Sequence, residues 1–387
     1  MRHWLCCDGG GTKLIVLLVN ERLEIVRAAT AGGVNPNFIS EEHIYRNMET
    51  CIRGVMGGDS GMSDGNGMGG DDRRRFERLR LGGRNDSLGQ HCGDSDVGGD
   101  SDVGGDGNGM GGGGDALKIE ACYITMPSRT VYMNDTLKKC GIDTEVIVVG
   151  EGQLGLLAGI CAKEGFAALA GTGSDVFYIG PGGARHTVGG WGMMLGDEGS
   201  GGDVGQKGLI AAIKSFDGQG GPTLLLDELF MWLGEEKTDD PERVMRNVLV
   251  PKVYTSPSPR GVLASFAPSV TRACDRGDKI AGEILDEAGV NMGRQMVALI
   301  KRVVKSDDGA AALPSTLCGG VWKGSRRMYR AYKKYVHGVY PEFDIQWPAF
   351  DAVAGGAVLV GLGLGYSRGE IMARMTETFA QYRYLAE

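Results

Sequence analysis

Two short strings constrain this chain more than any other feature: Asp8-Gly9-Gly10-Gly11-Thr12-Lys13 and Ala170-Gly171-Thr172-Gly173-Ser174. Each is a glycine turn carrying a threonine. The first lies between apolar strands at Trp4 to Cys7 and Leu14 to Val19, the second between Phe166 to Ala170 and Val176 to Ile179. One tight hairpin needs no ligand. A purely structural turn, however, gives no reason for the same device to return at the matching place of a repeat. The recurrence predicts a duplicated fold whose two turns face each other across a cleft, one from each lobe.

The order of the remaining elements agrees with a duplication. Leu23 to Ala29 reads as a third strand, completing an antiparallel meander. Ser40 then caps a helix with Glu41 and Glu42 in its first turn and Ile44, Met48, Ile52 and Val55 on one face. A strand at Lys118 to Thr125, a helix at Thr130 to Cys140, a strand at Glu145 to Val149 and a helix at Gly152 to Cys161 follow. This is the order of one lobe of the actin-like, ribonuclease-H-like fold. With 387 residues the chain exceeds one compact domain. The predicted class is therefore α/β: a two-lobed actin-like ATPase fold of duplicated ribonuclease-H-like domains with a cleft between them. Residues 1–164 form the N-terminal lobe and 165–387 the C-terminal lobe, the last helix, about 369–387, returning to the first. Helices are expected near Ser200 to Ser215, Thr223 to Leu233, Val262 to Arg276 and Asp278 to Val304. A strand ends at Leu317-Cys318, and Asp351 to Leu364 and Glu370 to Tyr384 close the chain.

From Gly57 to Asp115 glycine, aspartate, serine and asparagine dominate, and this tract holds much of the excess represented by 67 glycines. Too little apolar surface is available there to offset the entropy of ordering, so residues 57–115 read as a disordered insert in the N-terminal lobe. A net charge of −8 argues against a partner such as nucleic acid or an anionic membrane surface. No apolar run approaches the ~20 residues of a membrane helix, and the first residues carry no export signal, so a cytoplasmic protein is expected. Nine cysteines without a C-x-x-C pair fit buried thiols rather than disulfides or a zinc ribbon. A homodimer is left open.

The chemistry follows from the residue types. Glycines at a turn let backbone amides approach anionic oxygens, Thr12 adds a hydroxyl, and Asp8 at the strand end suits hydrated Mg²⁺. The second turn would hold the same phosphates from the opposite side. Neither turn matches a Walker A loop or a G-x-G-x-x-G helix start. The densest string is Gly189-Gly190-Trp191-Gly192-Met193-Met194-Leu195-Gly196-Asp197-Glu198-Gly199-Ser200-Gly201. Trp191 offers an aromatic face to a sugar ring, and Asp197 can accept from hydroxyls. Helix capping also accounts for Asp197 and Glu198, though not for the tryptophan or the glycines.

DGGGTK at 8–13, AGTGS at 170–174, GGWGMMLGDEGSG at 189–201, LCGGVWKGS at 317–325 and FDAVAGGAVLVGLGLG at 350–365 together resemble the N-acetylglucosamine kinase branch of the BadF/BadG/BcrA/BcrD ATPase family. The resemblance implies ATP and Mg²⁺, with an amino sugar as partner, N-acetylglucosamine becoming its 6-phosphate. It implies Asp8 for the metal and Gly10, Gly11, Thr12, Thr172, Gly173, Gly319 and Gly320 for the nucleotide, the last two receiving adenosine. Asn35, Ser174, Trp191, Gly192 and Asp197 fall to the sugar. Where the family's general base is an aspartate, this chain has Glu151, whose extra methylene moves the oxygens by about an ångström. The Ile124-Thr125-Met126-Pro127-Ser128 strand end also lacks the glycine-rich turn of the family, a second change on the sugar side. Two alternatives stay open: an ATPase that activates another enzyme through an iron–sulfur cluster, and a sugar sensor without catalysis.

Overall fold

The structure, a computed structural model, describes residues 1–10, 13–36, 39–57, 117–126, 129–150, 152–304 and 313–380. Most of the glycine-rich tract lies outside the described residues, as do Gly11, Thr12, Pro127, Ser128 and Glu151.

Among the described residues, two five-stranded sheets organise the fold. The first has the order β3-β2-β1-β4-β5, built from β1 (His3–Gly9), β2 (Lys13–Asn20), β3 (Ile25–Gly32), β4 (Ile119–Thr125) and β5 (Glu145–Val148). β1, β2 and β3 pair antiparallel, while β4 joins β1 in parallel and β5 joins β4 in parallel. The second sheet comprises β6 (Gly165–Ala170), β7 (Ser174–Ile179), β8 (Arg185–Gly189), β9 (Ser315–Cys318) and β10 (Ile345–Gln346). Its order, β10-β9-β6-β7-β8, repeats the first with the same strand directions. The duplication inferred from the glycine turns is thus present strand for strand. Gly9 pairs with Leu14 at the end of one hairpin, and Ala170 with Ser174 at the end of the other.

Strand burial follows from apolar content. Cys6, Cys7, Leu14, Val16, Leu17 and Leu18 are buried, as are Phe166, Ala168 and Phe177 in the second sheet. Burial holds the Cys51 and Cys318 thiols up at about 12, so both stay protonated near neutrality. The second sheet is flanked by α4 (Gly201–Phe216) and by the 25-residue α10 (Lys279–Val303), which bury Val204, Leu209, Leu285, Met292 and Met296.

One glycine-rich helix packs between the sheets, and a second packs against it and the first sheet. Helix α3 (Gln153–Ile160) is buried at every position from Leu154 to Ile160. Leu154, Leu157 and Ala158 pack with Trp4, Cys6 and Leu17, while Leu156 and Ile160 pack with Ala167, Phe177 and Cys318 of the second sheet. A Cβ on Gly155 would lie 2.8 Å from Cys318 Sγ, and one on Gly159 only 2.3 Å from Thr316 Oγ1. Helix α13 (Gly355–Gly363) meets the other side of α3 equally closely: a Cβ on Gly355 would lie 2.2 Å from the Leu154 carbonyl, and one on Gly356 2.6 Å from Cys6 Cβ. The final helix α14 (Arg368–Thr378), capped by a Ser367–Glu370 box, buries Ile371 and Met375 among Trp4 and Leu17 of the first sheet and Leu23 of the β2–β3 turn.

Several elements depart from the sequence reading. Leu23 has a φ of 63°, so the third strand starts only at Ile25. The helix expected from Val262 to Arg276 is two, α8 (Pro259–Ser265) and α9 (Ala267–Asp275), with Pro268, which has no N–H to donate, in the first turn of the second. Strands β8 and β10, the turns of helix from Pro241 to Tyr254, and helices α11 (Gly320–Gly324) and α12 (Arg326–His337) were not anticipated. Among the described residues, no helix is long and apolar enough to cross a membrane.

The close helix contact sets a testable requirement. Gly159→Ala forces a methyl into Thr316 and is expected to lower the unfolding free energy by about 1–3 kcal/mol. Gly369→Ala, in the first turn of α14 with no neighbour within 4 Å, is expected to raise it by up to about 1 kcal/mol. Urea denaturation of the two variants beside wild type measures both, and equal stabilities would contradict the contact.

Candidate functional site

The first turn closes tightly. The Gly10 amide donates to the Lys13 carbonyl at 2.8 Å, and the Val34 amide donates to the Gly10 carbonyl at 2.9 Å. Gly9 must be glycine here, because a Cβ would lie 2.6 Å from Val34 Cγ2 and 3.1 Å from Met126 Cβ. The Val34 bond places Asn35, partly buried, beside this turn. Asp8 ends the strand, opposite Ile15 of β2 and Thr125 of β4. Burial pushes its carboxyl up to about 6; Lys13 opposes the shift and the Asp351 charge adds to it.

Asp351 lies just ahead of α13 and forms an ion pair with Lys323 of α11. Gly319, immediately before α11, has a φ of 98°, and a Cβ there would lie 2.2 Å from the Ala170 carbonyl and 2.9 Å from the Gly171 amide. Gly319 therefore rests directly on the second turn, whereas Gly320 faces open space. The Asp351 charge is thus felt at Asp8 by the first turn, while Asp351 itself pairs with Lys323 of α11, the helix that Gly319 precedes beside the second turn.

The second turn is held from behind by α4. Its Gly201 and Gly202 amides donate to the carbonyls of Gly171 at 2.7 Å and Thr172 at 3.2 Å. The Ser200 hydroxyl caps the helix by accepting from the Asp203 amide at 3.0 Å. Capping thus falls to Ser200 and leaves Asp197 for another task. Asp197 adopts a φ of 64°, a left-handed geometry that aspartate tolerates better than most residues. It is only 3 % exposed; one oxygen accepts from the Gly192 amide at 3.2 Å and the other from Arg260 Nη2 at 2.7 Å. The Ser174 hydroxyl, also buried, donates to the Glu198 carbonyl at 3.0 Å. Trp191 is 74 % exposed, and Met194 and Leu195 still more so, which leaves the indole face of Trp191 open to a ring.

The residues singled out from the sequence therefore form two groups. Asp8, Gly10 and Asn35 gather at the first turn. Thr172, Gly173, Ser174, Gly192, Asp197, Gly319 and Gly320 gather at or beside the second, with Trp191 exposed on the same segment. Gly11, Thr12 and Glu151 lie outside the described residues, although the flanks of Glu151 are fixed. The Val149 amide donates to the Ile124 carbonyl at 2.7 Å, and a Cβ on Gly152, at φ 74°, would lie 2.8 Å from Phe177 of the second sheet.

Two residues escaped the sequence reading. Asp351 carried one signal, an acid at the head of the glycine-rich string that opens α13; Arg260 carried none. Asp8, its carboxyl raised by burial and further by the Asp351 charge, offers the oxygen donor that a hard divalent cation such as Mg²⁺ takes, though among the described residues no cluster of three or more such ligands is present. Asp8 is the carboxylate that would hold it.

The description "BadF/BadG/BcrA/BcrD ATPase family" matches residues 5–361. An N-acetylmuramic acid/N-acetylglucosamine kinase of Clostridium acetobutylicum is 29 % identical over 227 residues, covering 59 % of this chain and 71 % of that protein. The fold is similar to that of a candidate N-acetylglucosamine kinase from Chromobacterium violaceum, with TM-score 0.56, 18 % identity and coverage of 93 % of this chain and 99 % of the other. A second such candidate, from Porphyromonas gingivalis, gives TM-score 0.57, 16 % identity and the same coverages of 93 % and 99 %. With two sheets of one topology, a glycine turn at the same corner of each, and a family match over nearly the whole length, this chain belongs to the BadF/BadG/BcrA/BcrD ATPase family.

Proposed function

We propose that this chain is an ATP-dependent sugar kinase that phosphorylates a hydroxyl of an amino sugar, with N-acetylglucosamine the first acceptor to test and its 6-phosphate the product. The observation that carries the reading is that the hairpins ending at Gly9 and Ala170, whose turns each have a threonine in sequence, occupy equivalent corners of two like sheets. The similarity to the Clostridium acetobutylicum kinase supports the choice of acceptor.

In this reading the division falls near residue 164, and ATP lies between the halves. Gly10, Gly11 and Thr12 hold its phosphates from one side, Thr172 and Gly173 from the other, and Gly319 and Gly320 receive the adenosine. Mg²⁺ at Asp8 supplies charge neutralisation on the phosphates when bound. Asn35, Ser174, Trp191, Gly192 and Asp197 orient the sugar, and Glu151 accepts the proton of the attacking hydroxyl. Phosphoryl transfer asks little covalent chemistry of the protein, so positioning and charge supply most of the acceleration.

The direct test is ADP release from ATP and Mg²⁺ over a panel of amino sugars. N-acetylglucosamine is expected to raise turnover well above the sugar-free rate, and Glu151→Gln to cut it about a hundredfold or more while nucleotide binding persists. A panel without any stimulation would contradict the assignment.

Asp8 generates a pH-dependent prediction. Its folded value of about 6 lies above the ordinary 3.8, so the folded state binds the proton more tightly and this contribution to stability is lost as pH rises from about 4 to 6. In chelator, Asp8→Asn is expected to be more stable than wild type at pH 7 by up to about 3 kcal/mol. The gap should vanish near pH 4, as read by denaturant melts at both pH values, and the same variant should fail in catalysis. A gap that persists unchanged at pH 4 would contradict the burial of this charge.

A further inference from the structure

Arg260, at the start of α8, sits 63 residues from Asp197 in sequence yet lies against both Asp197 and the second turn. Its Nη2 is 2.7 Å from Asp197 Oδ2 and occupies the space a side chain at 173 would need: a Cβ on Gly173 would lie 1.5 Å from it. Arg260 lines a small cavity with Thr172, Asp197, Ser200, Asp203 and Gln206. Asp197 uses one of the five N–H donors of the guanidinium. Nε is buried without an acceptor, an arrangement that costs free energy until a ligand oxygen arrives. A planar cation with unused donors, anchored by a buried carboxylate beside Thr172 and the N-terminal end of α4, is built to receive an oxyanion.

Resting on the kinase reading above, we infer that Arg260 is a further catalytic residue, contacting the phosphoryl group in transfer at the second turn, with Asp197 as its positioning residue. The bond from the γ-phosphorus to the bridging β,γ-oxygen breaks, and a bond to the sugar oxygen forms. The hydroxyl proton goes to Glu151. Arg260 makes no covalent bond; its donors offset the negative charge that the equatorial oxygens carry through the transfer. Asp197 thereby serves the sugar side and the phosphate side at once. Gly173 is explained as well, since only a residue without a side chain leaves room for the guanidinium.

Three variants of the full chain test this: Arg260→Ala, Arg260→Lys and Gly173→Ala. The last keeps both members of the ion pair but presses on both, since the added Cβ would lie 1.5 Å from Arg260 Nη2 and 2.9 Å from Asp197 Oδ2. With ATP, Mg²⁺ and the best amino sugar, Arg260→Ala and Gly173→Ala are expected to lower kcat about a hundredfold or more, with the sugar KM of Arg260→Ala changed less than about threefold. Arg260→Lys, which keeps a cation for Asp197, should recover part of kcat. Calorimetric titration with ADP, Mg²⁺ and aluminium fluoride, a mimic of the group in transfer, gives a readout independent of the acceptor. Arg260→Ala should lose at least about tenfold in affinity for the mimic and little for ADP alone. If sugar KM rises while kcat is kept, Arg260 acts only by holding Asp197 for the sugar, and the inference fails. It fails also if the mimic binds wild type and variants alike, or if wild type binds neither nucleotide. Turnover absent in wild type but selective binding of the mimic intact would sink the acceptor assignment alone.

Discussion

The close contact of α3 with α13 and with both sheets is the constraint on which the rest depends. A helix buried at every position from Leu154 to Ile160 must find apolar surface on all sides, and here it finds the first sheet on one side and β9 of the second on another. Backbone can approach that closely only where side chains are missing, at Gly155, Gly159, Gly355 and Gly356. Interiors packed at crystalline density transmit displacements instead of absorbing them. The same two helices adjoin acidic residues in sequence: α3 begins two residues after Glu151, the proposed base, and α13 begins four residues after Asp351.

Around that frame the site stores charge in forms suited to ligands. Asp8 is held protonated more readily than an ordinary aspartate by burial and by Asp351, with Lys13 only partly compensating. Arg260 has one firm partner in Asp197 and a buried N–H without one. Arrangements of this kind are costly in a free protein and become favourable once a cation and an oxyanion are bound. The two stored charges have opposite sign and stand at opposite turns, which matches the needs of a metal-bound phosphate chain.

Much of the fold was legible because the duplicated strands are apolar and punctuated by glycine. Cys6 to Cys7, Leu14 to Val19 and Phe166 to Ala170 admit little besides buried strand, and the recurrence of the turns gave the duplication. What was missed has physical reasons. Strand β8, Arg185 to Gly189, is an edge strand whose residues are exposed or half-buried, so it lacks an apolar signature. Helix α12 does bury Met328, Tyr332 and Val336 at four-residue spacing, a signal masked by a dense run of arginine and lysine. At the candidate site, local strings pointed to residues that sit at or beside their own turns. Arg260 was invisible because its role exists only through a contact that the fold makes from a distant helix, and the capping expected of Asp197 went to Ser200.

The central claim is that two turns, one from each sheet, grip a single nucleotide. Calorimetric titration of Mg·ATP into wild type, Thr12→Val, Thr172→Val and the double variant measures it directly. The account predicts one site per chain, a loss of affinity of about tenfold or more in each single variant, and losses in the double variant that differ from their sum because both hydroxyls serve one phosphate chain. Full affinity in either single variant would mean that its turn does not touch the nucleotide.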